Sequence, residues 1–212
     1  MIDAALKATL QKKYGDEQVY VVPFNQVAGV PDKFADPLTF CSYKFYEGSF
    51  ILRSDAEYNP AMIQLIPYII VTNKAHDKLY VTKRIAGEER LRDSMALGCG
   101  GHINPCDSGR DIIMNAAFRE MNEELNIHLT KDTELQQVGT VRDLSSETNE
   151  HLGIVILATA RTVSVKEKEN LKGAWMTYED LVINYSCFES WAKHILDYMF
   201  EHGSKISSLL GR

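Results

Sequence analysis

Arg119-Glu120-Met121-Asn122-Glu123-Glu124-Leu125-Asn126-Ile127 is the stretch on which the reading of this chain turns. Glu120, Glu123 and Glu124 stand at i, i+3 and i+4, so on a helix their side chains share one stripe. Three like charges placed that way repel one another by roughly a few tenths of a kcal/mol per adjacent pair. A solvated acidic face is the plain reading. A hard divalent cation such as Mg²⁺ or Mn²⁺, which prefers carboxylate oxygens, would offset the repulsion. Arg119 lies four residues before Glu123 and can pair with it, holding it in one orientation. The residues before it support a helix. Ser108 can serve as N-cap with Asp111 three residues on, in a capping-box pattern. Ile112, Ile113, Ala116, Ala117, Met121 and Leu125 give the helix an apolar side. Asn126 falls where the helix should end, and asparagine tolerates the left-handed conformation found there. Upstream, Gly98-Cys99-Gly100-Gly101-His102 makes a glycine-rich turn able to bring backbone groups close to a ligand.

Working outward, Met62 to Thr72 (MIQLIPYIIVT) is an apolar, β-branched run, followed by a polar turn and the alternating LYVTKRI. This predicts a hairpin with one well-buried strand. Beyond the helix, LQQVGTVRDL and LGIVILATARTV read as strands joined by the polar SSETNEH. AWMTYEDLVIN reads as a strand end running into a short helix. Ser186 to Glu189 repeats the capping-box pattern, and Phe188, Trp191, Ala192, Ile195 and Met199 recur at helical spacing. Toward the N-terminus, residues 3–13 read as a helix and Gln18 to Phe24 as a strand. Asn25 to Pro60 reads as irregular with one or two short strands. Strands and helices mix without regular βαβ alternation, so an α+β chain with a layered α/β/α arrangement is expected.

The 212 residues are 45% hydrophobic and 25% charged, as in an ordinary globular protein. The 23 Lys and Arg against 29 Asp and Glu give a net charge of −6, so no general attraction to nucleic acid or anionic membrane is expected. No apolar run is long enough to span a bilayer. The N-terminal residues lack the apolar core of a signal peptide. Cys41, Cys99, Cys106 and Cys187 form no CxxC pair, and a reduced, cytoplasmic setting is the expectation. Cys99, His102 and Cys106 lie close together but lack a fourth ligand and the spacing of a structural zinc site.

The decisive stretch resembles the signature of the Nudix hydrolases: Gly, five residues, Glu, seven residues, then Arg-Glu-apolar-x-Glu-Glu-x-Gly-apolar. Arg119 to Ile127 match its second half with Asn126 in place of glycine. Seven residues separate Asp111 from Arg119, and Asp111 stands where the family has Glu. Nine residues rather than five separate Asp111 from Gly101, so an insertion is expected around Asn104 to Gly109. The resemblance extends over the hairpin, the LGIVIL strand and the Trp175 to Leu181 element. It implies a Nudix-type α/β/α sandwich with a mixed sheet over residues 62–202, an N-terminal extension over 1–61 and a tail over 203–212.

What the resemblance further implies is hydrolysis of a phosphoanhydride bond in a nucleoside diphosphate linked to another moiety, with Mg²⁺ as cofactor and Mn²⁺ able to substitute. Glu120 and Glu124 would be metal ligands and the Gly100 carbonyl would complete the set. Glu123 would be a further ligand or the catalytic base, oriented by Arg119. Glu150, or Glu147, is the candidate if the base comes from the later loop. Gly101, His102 and Arg84 are substrate-binding candidates, with Arg90 and Arg92 nearby. The expected partner is a nucleotide-type small molecule, with a homodimer possible for the extension. The rival reading is a non-catalytic Nudix-fold module that binds a nucleotide or regulates a partner, although such modules tend to lose the glutamates retained here.

Overall fold

The chain is described by a computed structural model over residues 4–36, 47–85, 94–129, 135–145, 150–166, 168–202 and 209. Its centre is a parallel pair, β4 (Met62–Asn73) beside β10 (His151–Val165), in register from His151↔Gln64 to Ala160↔Asn73. Along this pairing both strands are buried on both faces and therefore read as near-continuous apolar runs. Ile63, Leu65, Ile69 and Val71 of β4 join Leu152, Ile154, Ile156 and Ala158 of β10 in one core. Tyr68, Ile70, Val155 and Leu157 enter the other. Helix α4 (Ile112–Glu124) covers the first face through Ile113, Ala116, Ala117 and Met121. Helix α6 (Ser190–Glu201) covers the second through Ala192, Ile195, Leu196 and Met199. Two helical layers around one mixed sheet make the α/β/α sandwich that the sequence predicts.

The other edge of β4 is shared by three strands in succession, and this sharing places the site. β1 (Gln18–Pro23) pairs antiparallel with its first residues, Val21↔Gln64 to Pro23↔Met62. β7 (Cys99–Gly100) pairs with Tyr68 and Ile69, and β5 (Lys78–Arg84) with Val71 and Thr72. The glycine turn is thus a short strand of the sheet itself. Gly98, at φ +124°, makes the entry, and a Cβ there would overlap the Ile69 carbonyl. β6 (Met95–Ala96) and β11 (Leu171–Thr177) flank β5, while β9 (Gln136–Arg142) and β8 (Leu125–Leu129) share the far edge of β10.

The segment before Met62 is built into the same sheet. β1 also pairs with β3 (Ser49–Leu52), and β2 (Lys33–Ala35) extends the sheet beyond β9. α1 (Ala4–Tyr14) lies against α3 (Arg53–Ala56), joined by the Ser54 Oγ to Gln11 Oε1 hydrogen bond at 2.7 Å and a Lys7–Asp55 ion pair. Two short helices complete the order, α2 (Phe24–Val27) and α5 (Tyr178–Ile183), the latter opened by a Thr177–Asp180 capping box. Among the described residues no helix is long and apolar enough to cross a membrane.

Three local expectations are corrected. Asp111 itself is the N-cap of α4, accepting from the Met114 N–H at 3.1 Å, so Ser108 does not cap it. Asn126 is not left-handed: α4 ends at Glu124, and Leu125 turns directly into extended backbone (φ −122°, ψ 143°) to start β8. A helix that runs straight into a strand needs no glycine at that place, which accounts for the departure from the family pattern. Ser186 lies in a 3₁₀ turn (Tyr185–Cys187), and α6 begins after Glu189 without a side-chain cap.

Ile154 has no exposed surface and sits mid-sheet over α4. Ile154→Ala should lower the unfolding free energy by about 2–5 kcal/mol, read from the urea midpoint at constant slope.

Candidate functional site

Arg119, at the middle of α4, makes contacts in every direction its guanidinium allows. Its Nε and Nη2 donate to Asp107 Oδ1 and Oδ2, both at 2.9 Å, a bidentate pair with a buried carboxylate. Nη2 also donates to the His102 carbonyl at 2.8 Å and Asn104 Oδ1 at 3.1 Å. Nη1 donates to Glu120 Oε1 at 2.7 Å and Glu123 Oε2 at 3.0 Å. One cation therefore ties the helix to the turn-following loop and holds two of its glutamates. The bonds to Asp107, and then those to Glu120, push the guanidinium pKa further above its already high value.

Asp107 is the partner that the sequence reading missed. It ends a 3₁₀ turn (Pro105–Asp107) in which Asn104 and Asp107 form a reciprocal capping box. Counting from Gly101, five residues precede Asp107, which is the spacing of the first half of the family pattern. Asp107, not Asp111, faces Arg119, and the four additional residues fall between Asp107 and the helix rather than before it. The signal was the spacing itself, obscured by anchoring the count at Arg119.

The glutamates occupy distinct environments. Glu120 is 8% exposed and lies against Gly101, where any Cβ would overlap its carboxylate. Burial raises its pKa above that of an ordinary glutamate, with Arg119 partly opposing the shift. Glu124 lines a cleft of about 210 Å³ together with Gly98, Cys99, Gly100 and Arg84. Glu123 is the open one, with its side chain 58% exposed. The fields of Glu124 and Glu120 both reach Cys99, whose thiol is pushed well above its usual value, first by burial and then by these carboxylates. The glycine turn and the two glutamates thus converge.

The same cleft has an aromatic wall. Tyr68 and Trp191 meet edge to face at 5.8 Å, and the Tyr68 hydroxyl donates to Glu189 Oε1 at 2.7 Å while accepting from the Leu97 N–H at 3.1 Å. These residues come from β4 and the start of α6, far apart in sequence, and the local patterns that mark them as packing residues do not show that they meet at one cleft.

Glu150 lies elsewhere in the described contacts. It is 2% exposed, its carbonyl accepts from the Gln64 N–H at 2.8 Å, and Oε1 accepts from the Tyr58 N–H at 3.3 Å. The His102 ring turns to His151, with their Nε2 atoms 3.3 Å apart. Burial, Arg53, His151 and Arg119 hold the His102 pKa well below the usual histidine value. Arg90, Arg92, Glu147 and Cys41 lie outside the described residues.

Comparison with known proteins gives the arrangement its relatives. No protein-family model matches the chain. Protein YmaB of Bacillus subtilis (strain 168) is 32% identical over 156 residues, covering 68% of this chain and 75% of YmaB. Tm1382, a candidate Nudix hydrolase of known crystal structure, is 26% identical and superposes with a TM-score of 0.72 over 87% of this chain and 99% of its own. DR0079 from Deinococcus radiodurans, at 16% identity, shares the fold with a TM-score of 0.50 over 72% of this chain and 90% of its own.

Arg119→Lys should lower the unfolding free energy by on the order of 2 kcal/mol, because an ammonium cannot reproduce the bidentate Asp107 pair. A change below about 0.5 kcal/mol in denaturant melts would reduce the network to surface decoration. Cys99, buried and held as the thiol, should resist iodoacetamide at pH 8 while the exposed Cys106 and Cys187 are alkylated, as read by peptide mass.

Proposed function

The chain belongs to the Nudix hydrolase family, in one family with protein YmaB, and we propose that it hydrolyses a phosphoanhydride bond in a nucleoside diphosphate linked to a second moiety. The observation that carries this reading is the convergence of Glu120 and Glu124 on the Gly98–Gly101 turn, beside a cleft that also holds Arg84. The donor chemistry fits a hard cation: carboxylate oxygens from Glu120, Glu124 and Glu123, and the Gly100 carbonyl, with no nitrogen or sulfur among them. The chemistry that Mg²⁺ or Mn²⁺ supplies in such a set is neutralisation of charge developing on phosphate oxygens and acidification of water.

The chain's own residues divide the remaining work. Glu120 is desolvated against Gly101 and fixed by Arg119, so its carboxylate is oriented before anything binds. Glu123 keeps one oxygen on Arg119 and is otherwise open, which suits a base that takes a proton from the attacking water. We assign the base to Glu123 ahead of Glu150, whose carboxylate is buried on the Tyr58 side. Arg84 on the cleft wall is suited to phosphate oxygens, as is the backbone of the turn at Gly101, whereas the His102 ring is turned away to His151. Tyr68 and Trp191 offer an apolar surface next to them. At about 210 Å³ the cleft is smaller than a full ligand pocket, so it encloses only part of such a substrate.

With millimolar Mg²⁺, one or more members of a panel should release phosphate or a nucleoside monophosphate. The panel comprises nucleoside triphosphates, dinucleoside polyphosphates, ADP-ribose, other nucleotide sugars, NADH and coenzyme A. Glu124→Gln should reduce that turnover by roughly 10²-fold or more while leaving the metal-free melting temperature in place. Silence across the panel, with nucleotide-induced thermal shifts retained, would identify a binding module instead. Turnover that survives Glu124→Gln would overturn the residue assignment.

A further inference from the structure

Three side chains from separate parts of the chain meet where the N-terminal segment joins the sheet. They are Glu57 just after α3, His102 after the glycine turn, and His151 at the start of β10. A ligand atom from each lies within 4.8 Å of the others. The two imidazole Nε2 atoms are 3.3 Å apart, and the rings are inclined at 68°. As a hydrogen bond this separation is long, and one proton would have to serve both nitrogens. As a pair of ligands it fits well: nitrogens about 2.0–2.1 Å from a tetrahedral zinc ion are about 3.3–3.4 Å apart.

We propose that Glu57, His102 and His151 bind a zinc-class divalent ion, with a coordination position left for water. The site is separate in residues and in chemistry from the all-oxygen set on α4, since imidazole favours zinc and its neighbours over Mg²⁺. Its surroundings have the features of a supported site. Glu57 Oε1 accepts from Arg53 Nε at 3.0 Å, the outer hydrogen bond that fixes a ligating carboxylate. Arg53 is in turn held by Glu17 at 3.1 and 3.3 Å and lies over the Tyr14 ring at 4.2 Å. Gln64 pairs in register with His151, has no exposed surface, and among the described residues finds no hydrogen-bond partner for either amide atom. A hydrated ion next to its strand neighbour would give that costly amide a polar partner.

The ion would join the N-terminal segment to the loop whose His102 carbonyl accepts from Arg119. It would therefore act as a staple between β10, the glycine turn and residues otherwise far away in sequence.

The test uses the full-length chain. Calorimetric titration with Zn²⁺ in excess Mg²⁺, which saturates the carboxylate set, should show one Zn²⁺ per chain. X-ray absorption at the zinc edge should show imidazole scattering. His151→Asn and Glu57→Gln should each weaken Zn²⁺ binding at least about tenfold, while Glu120→Gln/Glu124→Gln should leave it unchanged. An oxygen-only shell, no uptake, or uptake lost in the double glutamate variant and kept in His151→Asn would overturn the site. Should His151→Asn fail to fold, the wild-type absorption spectrum decides by itself. None of these readouts involves turnover, so the site stands or falls apart from the hydrolytic reading.

Discussion

The Arg119–Asp107 pair is the contact on which the rest of the site depends. A guanidinium brought against a buried carboxylate must recover its lost hydration through well-aligned bonds, and here both partners are satisfied bidentately. The remaining donors then fall where the chain can use them: on the His102 carbonyl, on Asn104, on Glu120 and on Glu123. Each bond removes a degree of freedom from a group that is otherwise mobile. The loop after the glycine turn is held to α4, and two carboxylates that would repel each other are drawn to one positive centre. Such a network carries its penalty as a unit, because removing one member leaves the others buried and unmet.

The sheet supplies the second half of the placement. β4 offers one edge to β10 along its length and divides the other among β1, β7 and β5. Because the glycine turn is itself a strand of that edge, its backbone is fixed by the sheet. The approach of Glu120 to Gly101 is then set by how closely α4 packs, and Ala116 and Ala117 permit a close approach. The residues before Met62 take the place beside β7 through β1 and carry Glu57 and Arg53 toward His102 and His151. The N-terminal segment thus finishes the sheet and supplies side chains next to the loop that Arg119 organises.

Much of this was readable in the residues. The apolar run at Met62, the strand at LGIVIL, the amphipathic helix and the glutamate triplet all carry periodicities that survive into the structure, since burial on a known face demands them. The failures are local and share a cause. Ser108 has the right chemistry to cap a helix and so does Asp111; only the course of the inserted loop chooses between them. Asn126 fits a left-handed helix end, yet pairing of β8 with β10 imposes extended backbone. Strand pairing contributes several hydrogen bonds, whereas a residue's preference for one backbone region is a matter of a kcal/mol or so.

The sequence by itself determined the layered fold class, the family, and the helix that presents Glu120, Glu123 and Glu124 on one stripe, because each is written in spacing between nearby residues. Tertiary structure alone decided that Asp107 faces Arg119, that Tyr68 and Trp191 wall one cleft with Glu124, and that Glu57, His102 and His151 meet. The physical reason is distance along the chain. A periodicity reports which face of one element is buried, but contact between residues tens of positions apart depends on how strands share an edge and where a loop is anchored. No local pattern encodes that.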